Sequence, residues 1–204
     1  MIKYSVKGGG IPAPKKKTEK GLPSKEAEKL KQLVFQSNNP ILPKSWHQGF
    51  ILSPFESTPY GLKQIEGGPC GIIAAVQCYF LKHLLCCSGE DPANPTAREV
   101  SLVAAIANLL WKVRSSDRIV MVFPPRGAIK VDVGSLRMVP MEVMSFEAVF
   151  GAVWAWRDEY IGQSNHGVAA LMFSSVLTRG FDAIESEMDH KENPLIGNHG
   201  HCTQ

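Results

Sequence analysis

A cysteine at position 70 is the residue of this sequence best placed for covalent chemistry. Before it, Gly67, Gly68 and Pro69 predict a turn, and the apolar residues after it recur at helical spacing, so Cys70 is expected to begin a buried helix. The free backbone N–H groups and the positive dipole end of a helix start favour a thiolate over a thiol. Gln64, six residues upstream, could fold back over the cysteine and donate its amide to an oxyanion. The spacing therefore predicts a cysteine nucleophile beside an oxyanion hole.

The same features allow a second interpretation of Cys70. Cysteines in intracellular proteins are usually small, buried and chemically inert, and Cys70 could be one of these behind a tight turn. The glycine turn, the helix start and the upstream amide of Gln64 favour the nucleophile. On physical grounds alone, both interpretations stay open.

Residues 64–77 carry a family resemblance, with the sequence QIEGGPCGIIAAVQ. This segment resembles the active-site segment of the MINDY deubiquitinases, in particular the branch called MINDY four and its B paralogue. Residues 46–50, 177–180 and 195–204 extend the similarity, which covers most of the chain after about residue 40. The resemblance implies a papain-like cysteine protease fold, a nucleophile at Cys70 and an oxyanion-stabilising glutamine at Gln64. It also implies polyubiquitin, linked through ubiquitin's lysine forty-eight, as the substrate and partner.

The general base is the part of this site that the sequence does not supply. A thiol protease needs a histidine that hydrogen-bonds to the thiolate, and the chain has six histidines. In the family this histidine follows the segment that matches residues 200–204, so none of the six inherits the role. His166, His199 and His201 are candidate substitutes, although each is typical of a surface loop.

Two functional hypotheses follow from this gap. The first is a thiol-dependent ubiquitin hydrolase whose sequence here is the front portion of the catalytic domain or a shortened isoform, with the activity of this form left open. The second is a catalytically inactive ubiquitin-binding or regulatory member of the same family. The presence or absence of a histidine at the thiol distinguishes them.

Two clusters of potential metal ligands suggest zinc as an alternative. They are His83, Cys86 and Cys87, and His199, His201 and Cys202. Neither has the paired two-residue spacings of structural zinc sites, so no metal and no other cofactor is predicted. Cys78 is expected in the core, and the four tryptophans, at positions 46, 111, 154 and 156, are expected to be packing anchors.

Composition indicates one globular domain. The chain has 204 residues, 44% of them hydrophobic and 20% charged. Gln77 and Lys82 interrupt its most apolar segment, and the N-terminus has no apolar signal region, so no membrane association is predicted. Five cysteines without regular spacing indicate a reducing compartment, and we expect an intracellular, cytoplasmic protein that could also be nuclear. The sequence does not determine the oligomeric state.

The positive charge is concentrated at the N-terminus. The net charge is +3, but residues 1–31 hold nine lysines and three glutamates, so the remainder is acidic. We therefore expect residues 1–23 to form a basic flexible tail. The resemblance implies that residues 24–204 form the MINDY-type catalytic domain, which here stops before the family's catalytic histidine. Nucleic-acid binding is not favoured, because no aromatic residues interleave with the lysines.

The elements that must position Cys70 follow from periodicity and turn residues. Helices and strands alternate in these predictions, which indicates an α+β fold. The predicted elements are an amphipathic helix from Ser24 to about residue 37, a strand within residues 46–52, a loop over 54–59, a helix from a Thr96–Glu99 capping box to about Val113, a hairpin of residues 119–123 and 129–133, a helix capped by Ser145 that reaches about Tyr160, and a helix over 168–178 stopped by Gly180.

Overall fold

A computed structural model of the protein describes residues 19–55, 57–163, 166–197 and 200–203. In this part of the chain, helices are interspersed with short antiparallel strands, as in an α+β protein. The helices are α1 (Ser24–Phe35), α2 (Cys70–Leu81), α3 (Pro95–Val113), α4 (Phe146–Ala155), α5 (Arg157–Tyr160), α6 (Gly167–Arg179) and α7 (Phe181–Glu187). The strands are β1 (Lys20–Gly21), β2 (Ile51–Leu52), β3 (Leu62–Lys63), β4 (Arg118–Phe123) and β5 (Arg137–Glu142). Short 3₁₀ turns occupy Lys44–Trp46 and Val133–Ser135, and a π-helical turn, Lys82–Cys87, continues α2.

The main sheet has the strand order β1-β5-β4, all antiparallel. Helix α6 covers the outer edge of β4. The side-chain hydroxyls of Ser174 and Thr178 accept hydrogen bonds from the backbone N–H groups of Val122 and Val120, at 2.9 and 3.0 Å. Edge N–H groups left without partners invite pairing with another chain, so these two buried hydroxyls close the sheet on the α6 side.

The predicted strand over residues 129–133 is wrong. Strand β5 pairs with β4 instead, and Ile129 is 88% exposed in the connecting loop. The sequence does not predict β5, because it contains Pro140, and a proline inside an apolar run argues against a strand. It is tolerated here because β1 pairs only with Arg137 and Met138, so β5 has no neighbour on that side at Pro140.

The N-terminal boundary also differs from the expected one. Residues 1–18 lie outside the described part, but Lys20 and Gly21 form a strand on β5, and Leu22 is buried. The Leu22 N–H donates to the Leu136 carbonyl at 3.0 Å. These are contacts with residues more than a hundred positions away, which local composition does not show.

Helix α1 matches its prediction, since it ends at Phe35 and buries Ala27, Leu30, Leu33 and Val34. Helix α3 ends at the predicted Val113, but the predicted capping box is wrong. The Asn94 side chain accepts hydrogen bonds from the N–H groups of Thr96 and Ala97, and Pro95 occupies the first helical position. Glu99, released from capping, binds Arg157 at 2.9 Å.

The later helices agree with the prediction in their caps. The Ser145 hydroxyl caps α4, and Gly180, at φ +90°, ends α6. The predicted continuous helix to Tyr160 is interrupted at Trp156, whose φ and ψ of −115° and 14° end α4 before α5 begins. Trp156 is buried and stacks on Phe123, so tertiary packing sets this break.

The segment before the site is less regular than predicted. Of residues 46–52, only Ile51 and Leu52 form a strand, β2, which pairs with β3. Trp46 ends a 3₁₀ turn and is fully buried, and its Nε1 donates to the Gly200 carbonyl at 2.7 Å. Contacts with distant segments hold this stretch: the Trp46 side chain binds Gly200, and the backbone of Gln48 and Phe50 binds Val168 and Tyr160.

Among the described helices, the continuous stretch Cys70–Cys87 is long and apolar enough to cross a membrane by length and composition, with a mean hydropathy of 1.6. The bent pair of α6 and α7 passes the same test only if counted as one span. Gln77 and Lys82, which were expected to interrupt this apolar segment, therefore do not prevent it from meeting the length and composition criteria for a membrane-spanning helix. Such helices are weak evidence for a membrane, because core helices of soluble proteins share their composition.

Candidate active site

Cys70 is the first residue of α2, as predicted, and its side chain is exposed. The turn before it depends on Gly68, whose φ is +141°. A Cβ atom at Gly68 would collide with the Ser45 hydroxyl and would lie 2.9 Å from the Gly200 carbonyl oxygen. The chain therefore reaches Cys70 through a turn that only glycine fits, packed between two distant segments.

Gln64 lies directly over Cys70, also as predicted from the spacing. It follows β3, and its Nε2 donates to the Cys70 Sγ at 3.2 Å and to the Glu66 carbonyl at 2.8 Å. The Gln64 hydrogen bond is the largest cause of a lowered pKa of the Cys70 thiol. Hydrogen bonds from the backbone N–H groups of Gly68 and of Cys70 itself lower this pKa further, against a smaller effect of desolvation.

This geometry suits attack on a carbonyl carbon. A thiolate stabilised by hydrogen bonds is the nucleophilic form of cysteine, and the same N–H groups can transfer their hydrogen bonds to a developing oxyanion. Cys70 is accessible from solvent. A separate cleft of about 560 Å³ is bordered by Gln48, Ile65 and Glu66 among others, and neither Cys70 nor Gln64 lines it.

Two further glutamines, which the sequence does not single out, hydrogen-bond to the backbone before and after Gln64. The Gln77 side chain on α2 accepts from the Leu62 N–H and donates to the Tyr60 carbonyl, both at 2.7 Å. Gln48 binds the backbone on the other side of Gln64. In the sequence, each of these glutamines is recognisable only as a polar residue within an apolar stretch. This pattern does not show which backbone groups the side chain binds.

Cys202 joins the site from the C-terminal segment. Its Sγ lies 3.9 Å from the position of a Cβ added at Gly71, and the Gly71 N–H donates to it. Burial raises the pKa of the Cys202 thiol, and the charge on Cys70 raises it further. The sequence suggests Cys202 only as a metal ligand, because its proximity to Cys70 depends on the tertiary fold.

No histidine among the described residues hydrogen-bonds to the Cys70 thiol. Of the candidate substitutes, His199 lies outside the described residues, and His201 is exposed near the C-terminal end. His166 is bound elsewhere: its Nε2 lies 2.9 Å from the Ala128 carbonyl, and its ring packs edge-on against His47 at 5.1 Å. The described geometry therefore brings a thiol and an amide donor together with no histidine hydrogen-bonded to the thiol.

The described residues contain no group of three or more potential metal ligands. In the first cluster, His83 is turned into the core, where its Nε2 lies 2.6 Å from Asn108 Nδ2, whereas Cys86 is exposed. The second cluster includes His199, outside the described residues.

Cys78 is exposed, contrary to the prediction that it belongs to the core. Only one side of α2 packs inward, through Ile73, Val76 and Phe80, and position 78 lies on the opposite side of the helix. The helix is therefore half-exposed rather than buried. Of the four tryptophans, Trp46 and Trp156 are buried, and the other two are partly buried against the core.

Comparison with known proteins gives consistent matches. Residues 31–204 match the family described as "Deubiquitinating enzyme MINDY-3/4, conserved domain". The chain is 30% identical over 197 residues to the probable ubiquitin carboxyl-terminal hydrolase MINDY-4 of Homo sapiens, a match that covers 87% of this chain and 25% of the relative. It is 28% identical over 219 residues to the ubiquitin carboxyl-terminal hydrolase MINDY-3 of Bos taurus, a match that covers 89% of this chain and 49% of the relative.

The chain spans about a quarter of the length of the MINDY-4 relatives that it matches. A probable ubiquitin carboxyl-terminal hydrolase MINDY-4 of Xenopus tropicalis, 29% identical over 194 residues, gives the same proportion, with 88% of this chain and 26% of the relative covered. No solved structure matches the chain.

Proposed function

Because this chain belongs to the MINDY-3/4 family of deubiquitinating enzymes, we propose that it carries the nucleophilic half of a ubiquitin hydrolase site. Cys70 is the nucleophile, and Gln64 is the oxyanion donor. The observation that carries the proposal is the hydrogen bond from Gln64 Nε2 to Cys70 Sγ, 3.2 Å long, at the first residue of a helix. It supports a thiolate with an amide donor already aimed at the reacting centre.

The reaction follows from these roles. The Cys70 thiolate attacks the carbonyl carbon of the isopeptide bond that follows ubiquitin's C-terminal glycine, and the electron pair of the carbonyl moves to its oxygen. The Gln64 amide and the Cys70 backbone N–H bind this oxyanion. Collapse expels the lysine amine, which takes up a proton, and leaves a thioester on Cys70. Water then hydrolyses the thioester and regenerates the thiol.

Two finer features belong to the same proposal. The similarity of residues 64–77 to the family's active-site segment supports a papain-like arrangement and a preference for polyubiquitin linked through lysine forty-eight. The exposure of Cys70 is compatible with the approach of an extended polypeptide end. We expect this chain to act on ubiquitin conjugates of the kind that the names of its longer relatives indicate.

A second candidate function is favoured by one observation. Because no described histidine reaches Cys70, proton transfer to the leaving amine has no assigned donor, and such help is typically worth about 10²–10⁴ in rate. A chain with the nucleophile but no acid or base would bind ubiquitin without turning it over. This second candidate is the inactive, ubiquitin-binding or regulatory member of the family.

The test uses two reagents with the 204-residue chain. A ubiquitin carrying an electrophile at its C-terminus reports covalent capture by the thiol, and polyubiquitin linked through lysine forty-eight or lysine sixty-three reports turnover. We expect a covalent adduct that Cys70→Ser abolishes and Cys78→Ser preserves, with slow turnover that prefers the lysine forty-eight linkage. Gln64→Ala should lower any turnover by about 10²–10³-fold.

The outcomes separate the two candidates. An adduct that persists in Cys70→Ser would overturn the nucleophile assignment. Binding of polyubiquitin without turnover, with or without the adduct on Cys70, would favour the regulatory function. Fast turnover would mean that one of the histidines acts as the base, and His166→Asn, His199→Asn and His201→Asn, made in turn, would then show which one does.

A further inference from the structure

Gln48 is a buried amide whose hydrogen bonds end on the loop that carries Gln64. The residue is only 2% exposed and lies between the 3₁₀ turn Lys44–Trp46 and β2. A buried amide without partners costs free energy, so its bonds are expected to be specific. Its backbone is held as well, because the Val168 N–H at the start of α6 donates to the Gln48 carbonyl at 3.1 Å.

The side chain of Gln48 binds the two residues that follow Gln64. Its Oε1 accepts from the Ile65 N–H at 2.9 Å, and its Nε2 donates to the Glu66 carbonyl at 3.4 Å. The same Nε2 donates to the Ser45 carbonyl. Residues 64–66 belong to neither β3 nor α2, so no ladder or helix fixes their backbone.

The Glu66 carbonyl connects the two glutamines. It accepts from Gln48 Nε2 and, at 2.8 Å, from Gln64 Nε2, which uses its other proton for the Cys70 thiol. If this carbonyl rotated away, Gln64 would lose the bond that orients its amide. The position of the donor over Cys70 therefore depends on a peptide group that Gln48 holds.

We propose that Gln48 is a positioning residue for the nucleophile: it fixes residues 65 and 66 so that the Gln64 amide points at the Cys70 thiol. It does not touch the thiol itself in these contacts. Its role deepens the proposed function, on which it rests for the identity of the nucleophile. It acts by preorganisation, since a donor already in place needs no reorganisation during the reaction.

The test measures the rate of Cys70 alkylation as a function of pH in the 204-residue chain, with peptide mapping to resolve Cys70 from the other cysteines. Gln48→Leu has a similar volume and removes all three hydrogen bonds. We expect the midpoint of the profile to move to higher pH, in the same direction as in Gln64→Leu. At a pH well below the midpoint, raising the midpoint by about 1 pH unit lowers the thiolate fraction, and with it the alkylation rate, tenfold.

Two comparisons separate positioning from a general structural role. Gln77→Leu removes an amide of the same kind whose bonds end at Leu62 and Tyr60, before Gln64, and it should leave the midpoint in place. In a Gln64→Leu background, Gln48→Leu should cause no additional shift, because its effect passes through Gln64. If Gln48→Leu does not fold, Gln48→Met, which removes the same three hydrogen bonds with an unbranched side chain, replaces it and should shift the midpoint in the same direction.

An unchanged midpoint in a folded Gln48 variant would overturn the proposal. Equal shifts of the midpoint in Gln48→Leu and Gln77→Leu would also overturn it. So would a full additional shift when Gln48→Leu is added to Gln64→Leu. The readout needs no ubiquitin, so a failure of the proposed hydrolase activity leaves this result interpretable. Conversely, loss of the Gln48 effect would leave the ubiquitin adduct on Cys70 intact.

Discussion

Cys70 begins α2, and Cys202 lies close to it. Their surroundings shift the pKa values of the two thiols in opposite directions. Hydrogen bonds from Gln64 and the glycine turn lower the pKa of Cys70, whereas burial and the charge on Cys70 raise that of Cys202. We expect Cys70 to be alkylated first of the five cysteines at pH 7, and Cys202 well after it. Peptide mapping after brief treatment with a small electrophile measures the order. Gln64→Ala should slow Cys70 but not Cys86, and a fast Cys202 would contradict the assignment.

At this scale the sequence predicts that Cys70 begins a helix with the Gln64 amide beside its thiol, because a turn, a helix start and a six-residue separation are local features. Gln48 and Cys202 cannot be found in the same way. Gln48 acts on residues 65 and 66, about seventeen positions away, and Cys202 reaches Gly71 across more than a hundred. Only the fold brings such residues together.

Among the elements, the turn before α2 constrains the site most tightly. Gly68→Ala should destabilise the protein by about 1–3 kcal/mol, because it forces a side chain into a positive φ and against the Ser45 hydroxyl and Gly200 carbonyl. It should also slow alkylation of Cys70. Gly67→Ala is the matched control, since a Cβ there meets nothing within 4 Å. Chemical denaturation and alkylation rates measure both effects, and equal behaviour of the two variants would contradict the steric argument.

The π-helical turn after α2 predicts a pH dependence. Burial lowers the pKa of His83 to about 4, whereas a histidine in the unfolded chain titrates near 6.5. Between these values the unfolded state binds more protons, so the free energy of unfolding should fall as the pH drops from about 6.5 to about 4. Urea denaturation at pH 7 and pH 5 measures this loss, which should be smaller in His83→Gln. The exposed His190→Gln is the control, and an equal reduction there would contradict the role of burial.

Element boundaries show where local patterns are insufficient. The sequence predicts helix α1 down to its buried residues because its amphipathic pattern is local, and it identifies Ser145 and Gly180 as caps for the same reason. It misplaces the strand that pairs with β4, because Pro140 is acceptable only where β1 ends. Glu99 fits a capping box by spacing, yet its partner is Arg157, 58 residues away.

At the scale of the whole molecule, Arg137 joins segments that are far apart in sequence. Its guanidinium donates twice to the Pro124 carbonyl, at 3.0 and 2.9 Å, and binds Glu19 and Glu159, each at 2.9 Å. It thereby connects the residue before β1, the end of β4 and helix α5. Helix α5 in turn holds the segment before β2, because the Phe50 N–H donates to the Tyr160 carbonyl at 2.9 Å. The segment that contains Gln48 is therefore linked through helix α5 to the contacts of Arg137.

Arg137→Met tests how much this junction stabilises the fold. The Arg137 side chain is 18% exposed, so its loss leaves the Pro124 carbonyl without these donors and leaves the Glu159 carboxylate with only the exposed Arg126 among the described residues, and we expect the free energy of unfolding to fall by about 2–3 kcal/mol. Arg126→Met is the matched control: Arg126 also pairs with Glu159, at 3.0 Å, but is 65% exposed, so its loss should matter much less and less still at high salt. Urea denaturation at low and high ionic strength measures both. Equal losses in the two variants would show that total charge, rather than the hydrogen bonds of Arg137, stabilises this part of the molecule.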